Sequence, residues 1–249
     1  MIIKTKEELE GLKASGRVVA ITLQEMAKEL RPGVTTAYLD KIAEQVPSSY
    51  GAVSAPKSEY DFPGITCISV NDEVAHGIPG PRELQPGDLV NLDVSASLNG
   101  FFTDHGATFI IPPADKVGEK LLLASRRALK KAISVAIAGN KINHIGYVVE
   151  TEARAFGLTT IRNLCGHGVG NALHEEPSDI PNYYDPMDKR ILKKGMVLAI
   201  ETFIGEKEYF VEEEEEGGWL LKTPNRTRAA QFEHTVVVTE GKPIIVTKL

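Results

Sequence analysis

The 249-residue sequence has little cysteine, a single tryptophan and no long apolar run. Its two cysteines, Cys67 and Cys165, are too few for a disulfide framework and suit a reducing compartment. No stretch approaches the ~20 consecutive apolar residues of a membrane span. The start, Met1-Ile2-Ile3-Lys4, leads into a charged amphipathic stretch and shows no secretory leader. A basic excess is missing too: 28 Lys and Arg stand against 34 Asp and Glu, which excludes a basic nucleic-acid surface. Much of the net charge of −6 comes from one run, Glu212 to Glu216, which reads as a solvated loop tip. What is present, 42% hydrophobic and 25% charged residues, is ordinary for a chain with a sizeable core. These features imply a soluble, cytoplasmic protein with no membrane or nucleic-acid partner.

Against that plain background the sequence repeats itself. Leu84-Gln85-Pro86-Gly87-Asp88-Leu89-Val90-Asn91-Leu92-Asp93 is echoed by Leu192-Lys193-Lys194-Gly195-Met196-Val197-Leu198-Ala199-Ile200-Glu201. Each copy has a turn glycine, an apolar run and an acid at its inner end. A histidine motif precedes each: His76-Gly77-Ile78-Pro79 and His174-Glu175-Glu176-Pro177. The surrounding pattern repeats as well. Thr5 and Glu8 form a capping-box signature for a helix that stops near Arg31-Pro32-Gly33. A second helix runs from Thr35 or Thr36 to about Pro47, followed by a strand over 66–70 and a loop-rich stretch over 71–86. A long strand begins at Leu89 and turns at Asn99-Gly100, a common hairpin dipeptide, before Pro112-Pro113 ends the return strand. Helices over about 115–138 and 142–156, a strand near 159–162, the second echo and an apolar strand over 229–239 repeat this order. The expectation is one α+β domain over 1–249, with pseudo-twofold halves of about 1–113 and 114–249 around a central antiparallel sheet.

The hairpin sets the chemistry. A two-residue turn at Asn99-Gly100 places Asp104 opposite Ser95 and Asp93 opposite Gly106. Because strand side chains alternate between faces, Asp93 and Asp104 become diagonal neighbours on one face, roughly 7–8 Å apart at the backbone. The second half offers the analogous acids Glu201 and Glu233, with His234 pointing to the other face. Four acids directed into a core stay ionised only if cations join them. His167, within Gly166-His167-Gly168-Val169-Gly170, adds an imidazole from a glycine-rich turn that can approach closely. One imidazole and four carboxylates suit two divalent transition ions better than a structural zinc.

These residues resemble the methionine aminopeptidases, specifically the bacterial type I enzymes of the pita-bread (creatinase/aminopeptidase) fold. The resemblance spans essentially the whole chain. It is carried by Cys67-Ile68-Ser69-Val70-Asn71, Ala75-His76-Gly77-Ile78-Pro79, Val90-Asn91-Leu92-Asp93, Gly166-His167-Gly168-Val169-Gly170, Leu173-His174-Glu175-Glu176-Pro177 and Glu233-His234-Thr235. It implies that Asp93, Asp104, His167, Glu201 and Glu233 bind two metal ions (Co, Mn, Fe, Zn or Ni), and that His76 and His174 contact substrate. It also implies a pocket for the methionine side chain, with Phe62, Cys67, Leu173 and Trp219 as candidates. The implied activity is removal of the initiator methionine from nascent chains, preferably before a small second residue, by a monomer. A hydroxide held between the two metals would attack the carbonyl. Glu201 would move the proton, His174 would stabilise the oxyanion, and His76 would hydrogen-bond the scissile nitrogen or shuttle the proton. An Xaa-Pro aminopeptidase or prolidase, and a non-enzymatic binding protein of the same fold, are the alternatives. Three positions depart from the usual family pattern: His105 stands where Thr or Ser follows the second aspartate, Thr202 where Pro follows Glu201, and Leu173 where Phe is frequent. His105 should face away from Asp104, as a supporting or surface histidine.

Overall fold

Local signals and elements agree from the first helix onward in this computed structural model, which describes residues 1–214 and 218–249. Thr5 Oγ1 accepts from the Glu8 amide while the Glu8 carboxylate accepts from the Thr5 amide, and this reciprocal cap opens α1 (Lys6–Lys28). Helix α2 (Thr36–Ser49) starts at the Thr35 cap and runs two residues past Pro47. The first half continues with β1 (Val53–Ser54), α3 (Ala55–Tyr60), β2 (Cys67–Val70), β3 (Glu73–Ala75), β4 (Leu89–Leu98) and β5 (Phe101–Ile110). The second half has α4 (Lys116–Val135), α5 (Asn143–Ala155), β6 (Thr159–Thr160), β7 (Cys165–Gly168), β8 (Glu175–Pro181) and β9 (Val197–Gly205). After these come β10 (Glu212–Glu213), β11 (Leu221–Lys222), β12 (Ala229–Val237) and β13 (Ile244–Ile245). Helix α3 was not anticipated, although Ser54 followed by Ala55-Pro56 is a helix-start signal: Ser54 Oγ accepts from the Lys57 amide.

One ten-stranded sheet contains strands of both halves, in the order β1-β4-β5-β12-β9-β7-β8. Strand β2 pairs with β4, as β7 pairs with β9, so the sheet is nearly symmetric about the β5–β12 seam. The matching extends to sequence: Cys67 opens β2 as Cys165 opens β7. Along β4 the even positions Val90, Leu92, Val94 and Ala96 enter the main core with Val18, Val19 and Leu23 of α1. The odd positions Asn91, Asp93 and Ser95 point the other way, as a strand's alternation requires. The same parity holds in the second half. Leu198, Ile200 and Ile204 join the core under α4, and Thr202 hydrogen-bonds Ser125 of that helix. Helices α1 and α4 therefore cover one face, and the acids Asp93, Glu201 and Glu233 occupy the other.

The β4–β5 hairpin has the expected register, Leu98 opposite Phe101, Ser95 opposite Asp104 and Asp93 opposite Gly106. Asn99 and Gly100 both have positive φ, 53° and 82°, the geometry of a tight two-residue turn. The acidic run differs from the solvated loop tip expected of it. Glu212 and Glu213 form β10 and pair with Lys222 and Leu221, because β11 offers its free edge while bonding β3 with the other. Their side chains are exposed, and Glu215 and Glu216 lie outside the described residues. Among the described residues no helix is long and apolar enough to cross a membrane.

Gly100 has open space around the position of a Cβ, so its substitution acts through the backbone alone. Gly100→Val should lower the unfolding free energy by about 1–2 kcal/mol, the cost of a left-handed residue with a Cβ. Urea unfolding checks this, as a lower midpoint at unchanged slope.

Candidate metal centre

The site forms where both halves direct acids to the face of the sheet opposite α1 and α4. Glu201 of β9 lies directly opposite Glu233 of β12, and Asp93 and Asp104 occupy the neighbouring hairpin. His167 comes from β7. It sits in a strand where a turn was expected, yet its flanking glycines still serve close approach. A Cβ on Gly166 would stand 2.4 Å from the Ala199 carbonyl oxygen, and one on Gly168 2.3 Å from that of Glu176. The imidazole Nε2 thereby comes within 3.8 Å of Asp104 Oδ2 and 3.7 Å of Glu201 Oε1. Asp104, His167 and Glu233 are buried, and each offers one donor atom within 4.8 Å of the others.

This cluster is poorly satisfied without a cation. Asp93 Oδ1, Asp104 Oδ1 and Glu233 Oε1 are buried and have no hydrogen-bond partner among the described residues. Burial pushes the carboxyls of Asp104, Glu201 and Glu233 well above their ordinary values, and the neighbouring carboxylates push them further. Asp93 rises to about 6, chiefly through burial. Burial, and then His174, lowers His167 to about 3, which keeps it a neutral ligand-type imidazole. Converging carboxylate oxygens with one neutral imidazole form a donor set that fits hard-to-borderline divalent cations.

Residues behind the acids hold them in place. Gln231 Nε2 donates to Glu233 Oε2 at 3.0 Å, and Asn91 Nδ2 donates to Gln231 Oε1 at 2.8 Å. Thr235 Oγ1 accepts from the Asp104 amide and donates to its carbonyl, both at 2.8 Å, fastening β12 to β5. Asn91, Gln231 and Thr235 escaped the sequence reading, although each lies two residues from a candidate ligand on the same strand face. His105 and His234 lie on the helix side, their rings stacked with centroids 4.3 Å apart. His105 Nδ1 donates to the Glu233 carbonyl at 2.6 Å, and burial lowers its pKa to about 4. It is thus a neutral support behind Glu233. Thr202 also faces that side, so neither side chain meets the carboxylates, and His105 reaches Glu233 only through its backbone carbonyl.

Above the acids opens a cavity of about 340 Å³. His76, His174, Phe62, Cys67, Leu173 and Trp219 all line it. Phe62 meets Trp219 edge-on at 5.3 Å, and His76 meets the same indole at 6.4 Å. Strand β11, entered just after Trp219, pairs with β3, which ends just before His76, so the acidic hairpin delivers one wall of the cavity. His76 itself has a φ of 57°, a left-handed conformation uncommon for a non-glycine residue and a frequent mark of functional sites. Burial lowers the pKa of both His76 and His174. Tyr60, at the end of the unanticipated helix α3, also lines the cavity, with its hydroxyl 2.7 Å from His174 Nδ1.

With this geometry in view, the family assignment follows. The model of metallopeptidase family M24 matches residues 10–240, and the chain belongs to that family. The chain is 48% identical to methionine aminopeptidase 2 of Bacillus subtilis (strain 168) over 250 residues, covering 100% of both chains. It is 45% identical to the methionine aminopeptidase of Staphylococcus epidermidis, covering 100% of this chain and 99% of the other. The crystal structure of methionine aminopeptidase from Thermotoga maritima superposes with a TM-score of 0.95 at 36% identity, over 100% of both chains. The prolidase from Pyrococcus horikoshii OT3 shares the pita-bread fold at a TM-score of 0.77 and 20% identity, over 99% of this chain but 63% of its own.

Protons compete with a cation for these acids, so metal stabilisation must depend on pH. The carboxyls are raised in the metal-free fold, with Asp93 at about 6, so they are ionised for a cation only toward higher pH. The increase in melting temperature on adding Mn2+ should therefore be larger at pH 7.5 than at pH 5. Glu233→Gln should reduce the increase at both values. Differential scanning fluorimetry with and without the ion checks both expectations.

Proposed function

We propose that the protein is a metal-dependent methionine aminopeptidase that removes the initiator methionine from nascent chains in the cytoplasm, preferably before a small second residue. The buried cluster Asp104–His167–Glu233, whose carboxylates keep oxygens without a hydrogen-bond partner among the described residues, beside a cavity lined by Asp93, Asp104, His167 and Glu201, carries this reading. Full-length identity to methionine aminopeptidases supports the substrate. Asp93, Asp104, His167, Glu201 and Glu233 would hold two divalent ions of Co, Mn, Fe, Zn or Ni. Such ions supply an acidified water and polarise the scissile carbonyl when bound. Every proposed ligand comes from one chain, which favours a monomer acting as one catalytic domain over 1–249, its site between the two halves.

The chain's own groups would do the rest. Phe62, Cys67, Leu173 and Trp219, which line the cavity, receive the methionine side chain. Glu201 accepts the proton of the attacking water and passes it to the leaving amine. His174 donates to the carbonyl oxygen as charge develops there. His76, held neutral by burial, hydrogen-bonds the scissile nitrogen.

His76→Ala should lower kcat by about 10²–10⁴-fold, the usual weight of one acid–base group, with bound metal unchanged. Metal analysis alongside a Met-Ala-peptide assay tests this, and loss of metal would refute the assignment. A chelator should abolish release of methionine and readdition of Mn2+ or Co2+ should restore it. Faster cleavage of Xaa-Pro peptides than of Met-Ala peptides would overturn the substrate.

A further inference from the structure

Helix α3 is short, but both its ends are tied down. Ser54 Oγ caps it at the Lys57 amide and donates to the Ile65 carbonyl at 2.7 Å. At its other end Asp61 adopts a left-handed φ of 54°, and the chain turns so that the Phe62 amide reaches the Pro56 carbonyl. Phe62 then packs edge-on against Trp219. The helix thus presents Tyr60 from a braced position, across the cavity, to a histidine of the other half. The Tyr60 and His174 ring centroids are 5.4 Å apart and tilted by 56°, with Tyr60 Oη 2.7 Å from His174 Nδ1. On its other side the His174 ring packs on His167, with centroids 4.2 Å apart. Among the described residues no second group hydrogen-bonds the His174 imidazole.

We propose that Tyr60 is a positioning residue: its hydroxyl donates to His174 Nδ1 and thereby holds the His174 proton on Nε2, facing the substrate carbonyl. This rests on the reading of His174 as the donor to that oxygen. The chemistry of the pair decides the direction. A neutral imidazole carries one N–H and one lone pair, and the bond made by one nitrogen sets the state of the other. A phenol is a stronger hydrogen-bond donor than a neutral imidazole N–H, so the hydroxyl gives and Nδ1 receives. The opposite tautomer would aim a lone pair at the developing oxyanion and repel it. A bond from α3 also fixes the ring's rotation, so the donor is in place before the substrate arrives. The contact joins the two pseudo-symmetric halves across the cavity.

The test is a double-mutant cycle of Tyr60→Phe and His174→Ala, read on a Met-Ala peptide with metal content measured for each protein. Tyr60→Phe keeps the ring and removes the hydroxyl. It should lower kcat about tenfold, within the range of couplings between hydrogen-bonded neighbours, and leave KM within about twofold, as expected for an interaction gained in the transition state. In the His174→Ala background the same substitution should cost nothing further. Nitrogen-15 NMR of the zinc-loaded protein should show His174 protonated at Nε2 in the wild type and a shift toward mixed tautomers in Tyr60→Phe. An equal loss in both backgrounds, or a wild-type ring protonated at Nδ1, overturns the proposal. So does a kcat unchanged in Tyr60→Phe while His174→Ala is impaired. If His174→Ala itself keeps full kcat, the reading of His174 fails and this proposal fails with it.

Discussion

Four carboxylates and an imidazole packed into the middle of a sheet repel one another and lose their hydration, and most of the structure answers that cost. Three of their oxygens have no hydrogen-bond partner among the described residues, and burial followed by mutual repulsion raises the pKa values of Asp104, Glu201 and Glu233. Such a cluster is tolerable when cations complete it and the surrounding frame keeps the acids from splaying apart. The frame is the sheet itself, backed on its other face by α1 and α4 and by a continuous apolar core. The acid chains have little freedom to escape, because each stands on a strand with partners on both edges.

The polar residues behind the acids make the frame specific. Asn91, Gln231 and Glu233 form a hydrogen-bonded relay from the first half into the second. Thr235 clamps the backbone of Asp104 across the seam, where β5 and β12 share a single register pair, Phe232 with Ala107. His105 adds a bond to the Glu233 carbonyl from the helix side. Orientation of metal-type ligands by a surrounding hydrogen-bond shell is what such sites require. Here the shell does a second job, because the same bonds hold the two halves in register.

The duplication explains why the site is both symmetric and asymmetric. Asp93 and Glu201 occupy matching strands, and so do Asp104 and Glu233, which places two acids from each half about the seam. His167 breaks the match, and so does the hairpin that carries Trp219 over the cavity from the second half alone. Helix α3 breaks it from the first half, placing Tyr60 against His174. The symmetric parts form the acid cluster, and the asymmetric parts shape the space above it.

Features that depend on a few neighbouring residues were legible in the sequence. The Thr5–Glu8 cap, the Asn99-Gly100 turn and the strand alternation are local, and the turn and alternation together place Asp93 and Asp104 on one face. The repeat supplied Glu201, and the apolar strand beginning at Ala229 supplied Glu233. What lay out of reach depends on approach between distant segments. The strand pairing of His167, the Asn91–Gln231 relay, the pairing of β11 with β3 and the Tyr60–His174 bond all join residues far apart in the chain. Their partners are chosen by the packing of helices and sheet, and no local propensity encodes that choice. The sequence by itself determined the elements, their faces and the acids they carry. Only the tertiary structure decided which oxygens are left without partners and which histidine is held by which tyrosine, because those are properties of a shared, water-excluding space that exists only once both halves are closed around it.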